Sequence, residues 1–306
     1  MKNAHRTKAV GGALLVLSLF GAACSSTPGN DTTSKAALPS APIPVQSKID
    51  AVAKLVPPVV AITGKITYAM DASYLPDEWI APGSSTIVGM DADLGKAVAE
   101  TMGLSSVQSN VPFASIIPGL QVNKYDAGIS SLVITAARSQ IVDFVEYFKA
   151  GQAFYVKAGS STKYSSPTSL CGHSVAVKVG TIEAIEVKDI SKACVTDGKD
   201  RVKVLTFTNQ NGMNFAVSSG RADVGFADSQ VAGYVVARSS GQLELSGKPF
   251  TVAPFGIATP KGNGMAPAIS AAVNALISNG TYGKILAKWG LEAGAVTAAP
   301  INPPAA

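Results

Sequence analysis

The chain has 306 residues, 47% hydrophobic and 15% charged, with 25 basic and 20 acidic residues for a formal net charge of +5. Lys2, Arg6 and Lys8 fall within the first 23 positions, so the remainder is close to neutral, and it carries no basic stripe with interleaved aromatics to suggest a nucleic-acid partner. His5 and His173 are the only histidines and Cys24, Cys171 and Cys194 the only cysteines, which leaves almost no material for a metal centre or histidine-based catalysis, and no cofactor is expected.

Residues 1–23 have the pattern of a signal peptide: Lys2, His5, Arg6 and Lys8 precede an apolar run from Val10 to Phe20. That run is about eleven residues, against roughly twenty for a helix that spans a bilayer. Gly21-Ala22-Ala23-Cys24 resembles the lipobox of bacterial lipoproteins, with glycine where leucine is usual, and points to lipidation at Cys24. Ordinary cleavage near Ala23, with Cys24 left as a plain thiol, is the alternative. Residues 24–47 are rich in Ser, Thr, Pro and Ala and read as a flexible, lipid-anchored linker. Cys171 and Cys194 then form an even pair, in an exported protein most simply a disulfide and otherwise two buried thiols.

Beyond the linker, Lys65–Asp71 reads as a strand that leads into a loop with Tyr74, Pro76 and Trp79. Leu94, Ala97, Val98 and Met102 recur at helical spacing, with Asp91 as the expected N-cap and Gly103 as the stop. A short helix broken at Pro118 follows, then a strand from Tyr125 to Ser131 and a hydroxyl-rich turn that ends at Arg138. The second half repeats the alternation. Ser174–Gly180 is a β-branched strand that ends in Gly-Thr, and a helix begins at Thr181. Strands at Lys203–Thr208 and Ala222–Ala227 alternate with helices at Asn211–Ser219 and Gln230–Arg238, and two final helices, Met265–Ser278 and Thr281–Trp289, are split by Asn279-Gly280. Two α/β units with polar residues at their strand ends suggest a ligand held between them, because open α/β sheets bind ligands outside the carboxyl ends of their strands.

GMDADLGKAVAETMG, PFASIIPGLQVNKYDAGISSLVITAARS, VDFVEYF, VGTIEAI, SGRADVGFADSQVAGY and NGTYGKILAKWG together resemble the extracellular solute-binding protein family 3, the receptors of polar amino-acid ABC importers. The resemblance runs in order from Ile66 to Gly290. It implies an α/β, two-lobed periplasmic-binding-protein-like fold, with two mixed sheets flanked by helices and joined by crossover hinge strands near Gln152–Lys157 and Ala253–Pro260. Lobe 1 would comprise 48–153 and 257–292, lobe 2 would comprise 154–256, and 293–306 would be a flexible tail. Such a protein would act as a monomer on the extracytoplasmic face of the plasma membrane, with an amino acid and an ABC permease as partners.

The same resemblance implies a set of site residues. Arg138 would clamp the ligand carboxylate with its planar fork, and Gly180 and Thr181 would add backbone donors from the other lobe, where a helix N-terminus favours an anion. Asp228 would hold the ligand ammonium, unless it only caps the following helix. Ser130 and Ser131 would line the same end. Val133 stands where many members have Thr or Ser, so a hydroxyl for the ammonium is missing and a ligand with an altered amino group has room. Asp71, Tyr74, Trp79 and Phe113 would surround the ligand side chain, with Tyr74 or Trp79 as the cover and Asp71 favouring a polar or basic amino acid. An enzyme of the cyclohexadienyl dehydratase type on this scaffold would need a general acid, with Glu78 or Asp71 as candidates. A tethered sensor without transport would share every binding residue.

Overall fold

The computed structural model describes Pro39 and residues 41–305. The expected signal peptide, Cys24 and most of the linker thus lie outside the described residues. Among the described residues, no helix is long and apolar enough to cross a membrane.

Two short helices, α1 (Asp50–Ala53) and α2 (Pro58–Thr63), lead into strand β1 (Lys65–Met70). Strands β2 (Ser73–Tyr74), β3 (Glu78–Ile80) and β4 (Ile87–Val88) form a small antiparallel sheet over the end of β1. Helix α3 (Met90–Thr101) buries Leu94, Ala97 and Val98 and is followed by β5 (Ser105–Asn110), which pairs parallel with β1. Its N-cap is Gly89, not the expected Asp91. Gly89 sits at φ 141°, and an added Cβ would lie 2.0 Å from the Asp77 carbonyl oxygen, so only glycine fits there. Asp91 is turned inward and fully buried.

A 3-10 turn at Phe113–Ser115, helix α4 (Ile116–Gln121), the two-residue strand β6 (Ala127–Gly128) and the single turn α5 (Ala136–Ser139) complete the first pass. The chain leaves on β7 (Val142–Lys157). Beyond it, β8 (Ser174–Lys178), α6 (Ile182–Thr196), β9 (Lys203–Phe207), α7 (Gln210–Ser218), β10 (Val224–Asp228) and α8 (Ser229–Arg238) build the second lobe. The chain returns on β11 (Leu243–Pro260) and closes the first lobe with α9 (Met265–Ser278) and α10 (Thr281–Trp289). A disulfide joins Cys171 to Cys194 on α6 with Cα atoms 5.6 Å apart. Closing a loop of 23 residues restrains the unfolded chain by about 3 kcal/mol.

The two expected sheets are halves of one ladder, ordered β5-β1-β6-β11-β7-β10-β8-β9. They merge because β7 and β11, of 16 and 18 residues, run antiparallel through both lobes. The apolar cores stay separate. Ala150, Ala253 and Phe255 pack in the first lobe, whereas Ala153 and Phe154 are already in the second and Phe250 packs against it. The changeover on β11 therefore falls between Phe250 and Ala253, before the expected boundary at 256/257. Register shifts at Ser246/Phe250, Phe250/Ala253 and Phe255/Gly256 bend the strand through this region.

The stretch expected to be a flexible tail is docked over residues 293–302. Pro300 accepts a hydrogen bond from the Glu146 N–H, the Asn302 N–H donates to the Phe144 carbonyl, and Ala299 is buried. Within the first lobe β7 has β11 on one side only, and the tail covers its otherwise unpaired edge.

Candidate ligand-binding cleft

The carboxyl ends of the lobe strands converge beside the two crossings. Tyr74, Phe113, Ser131, Val133 and Arg138 from the first lobe face Thr181, Ile182, Glu183 and Asp228 from the second. The void they leave is about 10 Å³, on a scale where one water needs about 10–15 Å³. The cleft is closed, and side chains tie its walls together. The Tyr74 hydroxyl donates to Asp228 Oδ2 at 2.7 Å, Gln230 Nε2 donates to Asp77 Oδ2 at 2.9 Å, and Arg138 donates to the Gly180 carbonyl at 3.0 Å.

Arg138 is presented by the one-turn helix α5, which Thr135 caps by accepting the Arg138 N–H. Its guanidinium also donates to the Val133 carbonyl at 2.8 Å and lies 5.6 Å from the Phe113 ring centre. Opposite it, Asp228 and Glu183 are both buried. Burial, followed by the Glu183 charge, pushes the Asp228 carboxyl well up, and burial raises Glu183 as well. A cation beside two buried acids is the complement of a zwitterion: a carboxylate would meet Arg138, and an ammonium would meet Asp228 and Glu183 and relieve their desolvation. Thr181 caps α6 through the Ala184 N–H, which aligns the start of that helix on the same cavity.

Lys178, the last residue of β8, is buried, and its ammonium lies 3.3 Å from Asp71 Oδ2. It sits 3.6 Å from the centre of the Tyr74 ring and 4.8 Å from that of Phe113. It has no hydrogen-bond acceptor among the described residues. Asp71 is held in turn by the Ser73 hydroxyl and the Phe113 N–H. Behind Tyr74 and Phe113 of the cleft lining, therefore, lies a buried ion pair whose ammonium faces both rings.

Behind the cleft, three buried carboxylates fix the turn at Ser130 and Ser131. Ser130 donates to Glu78, the Ser131 hydroxyl donates to Asp77, and the Ser131 N–H donates to Asp91. These bonds hold Ser131 at φ 49°, a left-handed backbone that serine seldom adopts. Burial pushes Asp77 up to about 6 against the pull of Ser131, Gln230 and Lys178. Burial and then the Asp77 charge push Asp91 up to about 8. Native carboxyls with raised pKa values bind protons that the unfolded chain has already released, so stability is greatest below the ordinary carboxylate range and falls as pH rises through about 6 and then 8. Asp91→Asn keeps an acceptor for the Ser131 N–H without the charge. Its melting temperature should match wild type only below about pH 4 and pull steadily ahead as pH rises toward 8, by roughly ten degrees or more at pH 8.5, at about 2–4 °C per kcal/mol. A parallel decline of both proteins with pH would show that Asp91 carries no such strain.

The expected site residues are thus sorted by position. Tyr74, Phe113, Ser131, Val133, Arg138, Thr181 and Asp228 share one cavity, Gly180 meets Arg138 at its rim, and Asp71 lies outside the lining, paired with Lys178. Ser130 turns its hydroxyl away, toward Glu78. Trp79 is a correction. It lines a separate groove of about 290 Å³ with Leu75 and Tyr234, whereas Tyr74 lines the cleft and bonds Asp228 across it. Glu78, a candidate acid, is sealed behind Ser130. Lys178 and Glu183 were not anticipated. The trace of Lys178 in the sequence is a lysine that ends the run Val175-Ala176-Val177, one residue before the Gly-Thr turn.

Two lobes that close on strand hinges around a zwitterion-complementary cleft define a solute receptor. Residues 66–292 match the bacterial extracellular solute-binding proteins, family 3, and the chain belongs to that family. The arginine-binding protein ArgT of Corynebacterium glutamicum is 31% identical over 84% of this chain and 84% of its own. The ABC transporter glutamine-binding protein GlnH of Bacillus subtilis is 32% identical over 68% of this chain and 74% of its own. An ancestral arginine-binding protein solved with glutamine bound superimposes with a TM-score of 0.67 at 33% identity, covering 74% of this chain and 97% of that one. The chain is accordingly an amino-acid receptor of the ABC-import type.

Proposed function

We propose that the ligand is a free amino acid whose side chain ends in a carboxamide, glutamine in the first place, and that closure around it presents the two lobes to an ABC permease. The observation that carries this is the buried Lys178–Asp71 ion pair, 3.3 Å apart, whose ammonium has no hydrogen-bond acceptor among the described residues. A carboxamide matches both members of that pair, since its carbonyl accepts from Lys178 and its NH₂ donates to Asp71. Arg138 takes the α-carboxylate and Asp228, with Glu183, the ammonium, so every buried charge in the cleft gains a partner on binding.

A second reading is arginine, favoured by a buried carboxylate, Asp71, beside two aromatic rings that already face a cation, and by the arginine-binding relatives. Lys178 already lies where a guanidinium would, and two cations about 4 Å apart repel by about 4 kcal/mol at an effective dielectric of 20. Calorimetry against the twenty amino acids plus ornithine and citrulline tests the choice. Glutamine should bind tightest and arginine at least tenfold more weakly, and the reverse order would overturn the carboxamide reading.

Binding, not turnover, is the role proposed, and consumption of prephenate or arogenate by the pure protein would contradict it. Lipid attachment at Cys24, with the receptor acting as a monomer on the extracytoplasmic face, completes the proposal and is supported by the export pattern of residues 1–24.

A further inference from the structure

A second cavity, about 100 Å³, lies directly behind the ligand site, and Val133, Ile182 and Asp228 line both spaces. Its far wall is Gln152 and Glu186, and the two hinge strands contribute Ala150 and Ala253. On the scale where the cleft itself has room for about one water, this cavity has room for several atoms more. Gln152 is 4% exposed, and its Nε2 donates to Glu186 at 2.6 Å, which leaves Oε1 without a partner among the described residues. The cavity thus has apolar sides, acceptors at its far end, and an opening beside the carboxylate that faces the ligand ammonium.

The donor count at the ammonium end permits a use of that space. A primary α-ammonium has three N–H groups to satisfy in a buried site. Asp228 and Glu183 offer acceptors, one Asp228 oxygen already receives the Tyr74 hydroxyl, and the Val133 side chain adds none on the side of the second cavity. An ammonium that carries one carbon substituent has one donor fewer, and the substituent would pass between Val133 and Ile182 into the space behind. We infer that this space is a subsite for a small neutral substituent on the α-nitrogen, so the receptor takes Nα-alkylated amino acids as well as free ones. Acceptors at the far end favour an alkyl group, or one that ends in a donor, and exclude an acidic one. The inference rests on Asp228 as the ammonium partner. Because the cavity is walled by both lobes and by the hinge strands, the substituent is enclosed only when the cleft shuts.

The test is calorimetry with Nα-methyl-L-glutamine and Nα-methyl-L-arginine against their unmethylated parents, on the wild-type protein and on Ala150→Val and Ala253→Val. These two variants fill the cavity from different strands, and each is first checked for a native melting transition. The inference expects at least one methylated ligand to bind the wild type within tenfold of its parent. It also expects a folded filling variant to weaken that ligand at least thirtyfold more than the parent. A methylated ligand more than a hundredfold weaker than its parent overturns the inference and shows a cavity for water alone. Equal losses of both ligands in the filling variants overturn it too. If arginine outranks glutamine, the carboxamide reading falls while the methyl comparison still decides the subsite. If neither parent binds, Asp228 is misassigned and the inference falls with it.

Discussion

Replacing Arg138 by alanine is expected to weaken the receptor for its amino acid at least a hundredfold, about 3 kcal/mol, in calorimetry at neutral pH. The loss has two sources. The ligand carboxylate would be buried against a wall with no cation, since the other nearby cation, Lys178, is committed to the side-chain end beside Asp71. The closed form would also lose a strap, because Arg138 reaches from the first lobe to the Gly180 carbonyl of the second. Arg138→Lys separates the two. It keeps a charge near the carboxylate but cannot make the paired contacts of a planar fork, so it should recover only part of the affinity. Binding of Arg138→Ala within twofold of wild type would remove this residue from the site.

Lys178→Met is expected to exchange specificities: glutamine at least thirtyfold weaker, arginine at least tenfold tighter. Methionine keeps an unbranched side chain of similar length and removes the ammonium that lies over Tyr74 and Phe113. Asp71 would then be a buried carboxylate without its ion-pair partner, a state that a cationic ligand relieves and a neutral amide does not. The gain for arginine is the part that a merely structural lysine would not produce. If glutamine binding is unchanged by the substitution, the side-chain end of the site lies elsewhere.

Much of the architecture can be read from residue patterns. Helices α9 and α10 have the bounds their periodicity and the Asn279-Gly280 break predict, and β1, β8 and β9 fall on the apolar runs. The return of the chain to the first lobe is invisible to local pattern. It depends on β7 and β11 pairing across about a hundred residues, and the resemblance, not periodicity, supplied it. The site divides in the same way. Arg138 after a hydroxyl-rich turn is a visible anion signal, whereas Asp228 at the end of β10 is indistinguishable in sequence from a helix cap, and the structure shows no cap bond from its side chain. Asp91 misleads because an acid before an apolar helix reads as a cap, yet here it reaches back to the Ser131 N–H. Glu183 escapes because an acid in the first turn is ordinary for a helix, and Lys178 because a lysine at a strand end reads as solvated, so the burial of both shows only in the folded chain.

Gly180 is where the two jaws meet without a side chain between them. It sits at φ 86°, and a Cβ there would stand 3.0 Å from that of Ala114 in the opposite lobe. The smallest possible addition would therefore act as a doorstop: the jaws could still grip, but not seat. Transport needs more than grip, because the permease must distinguish a loaded receptor from an empty one by the shape it is offered. A receptor propped ajar at this point would hold its ligand yet offer the importer a different outline, so the bare backbone at position 180 bears on hand-over as much as on capture.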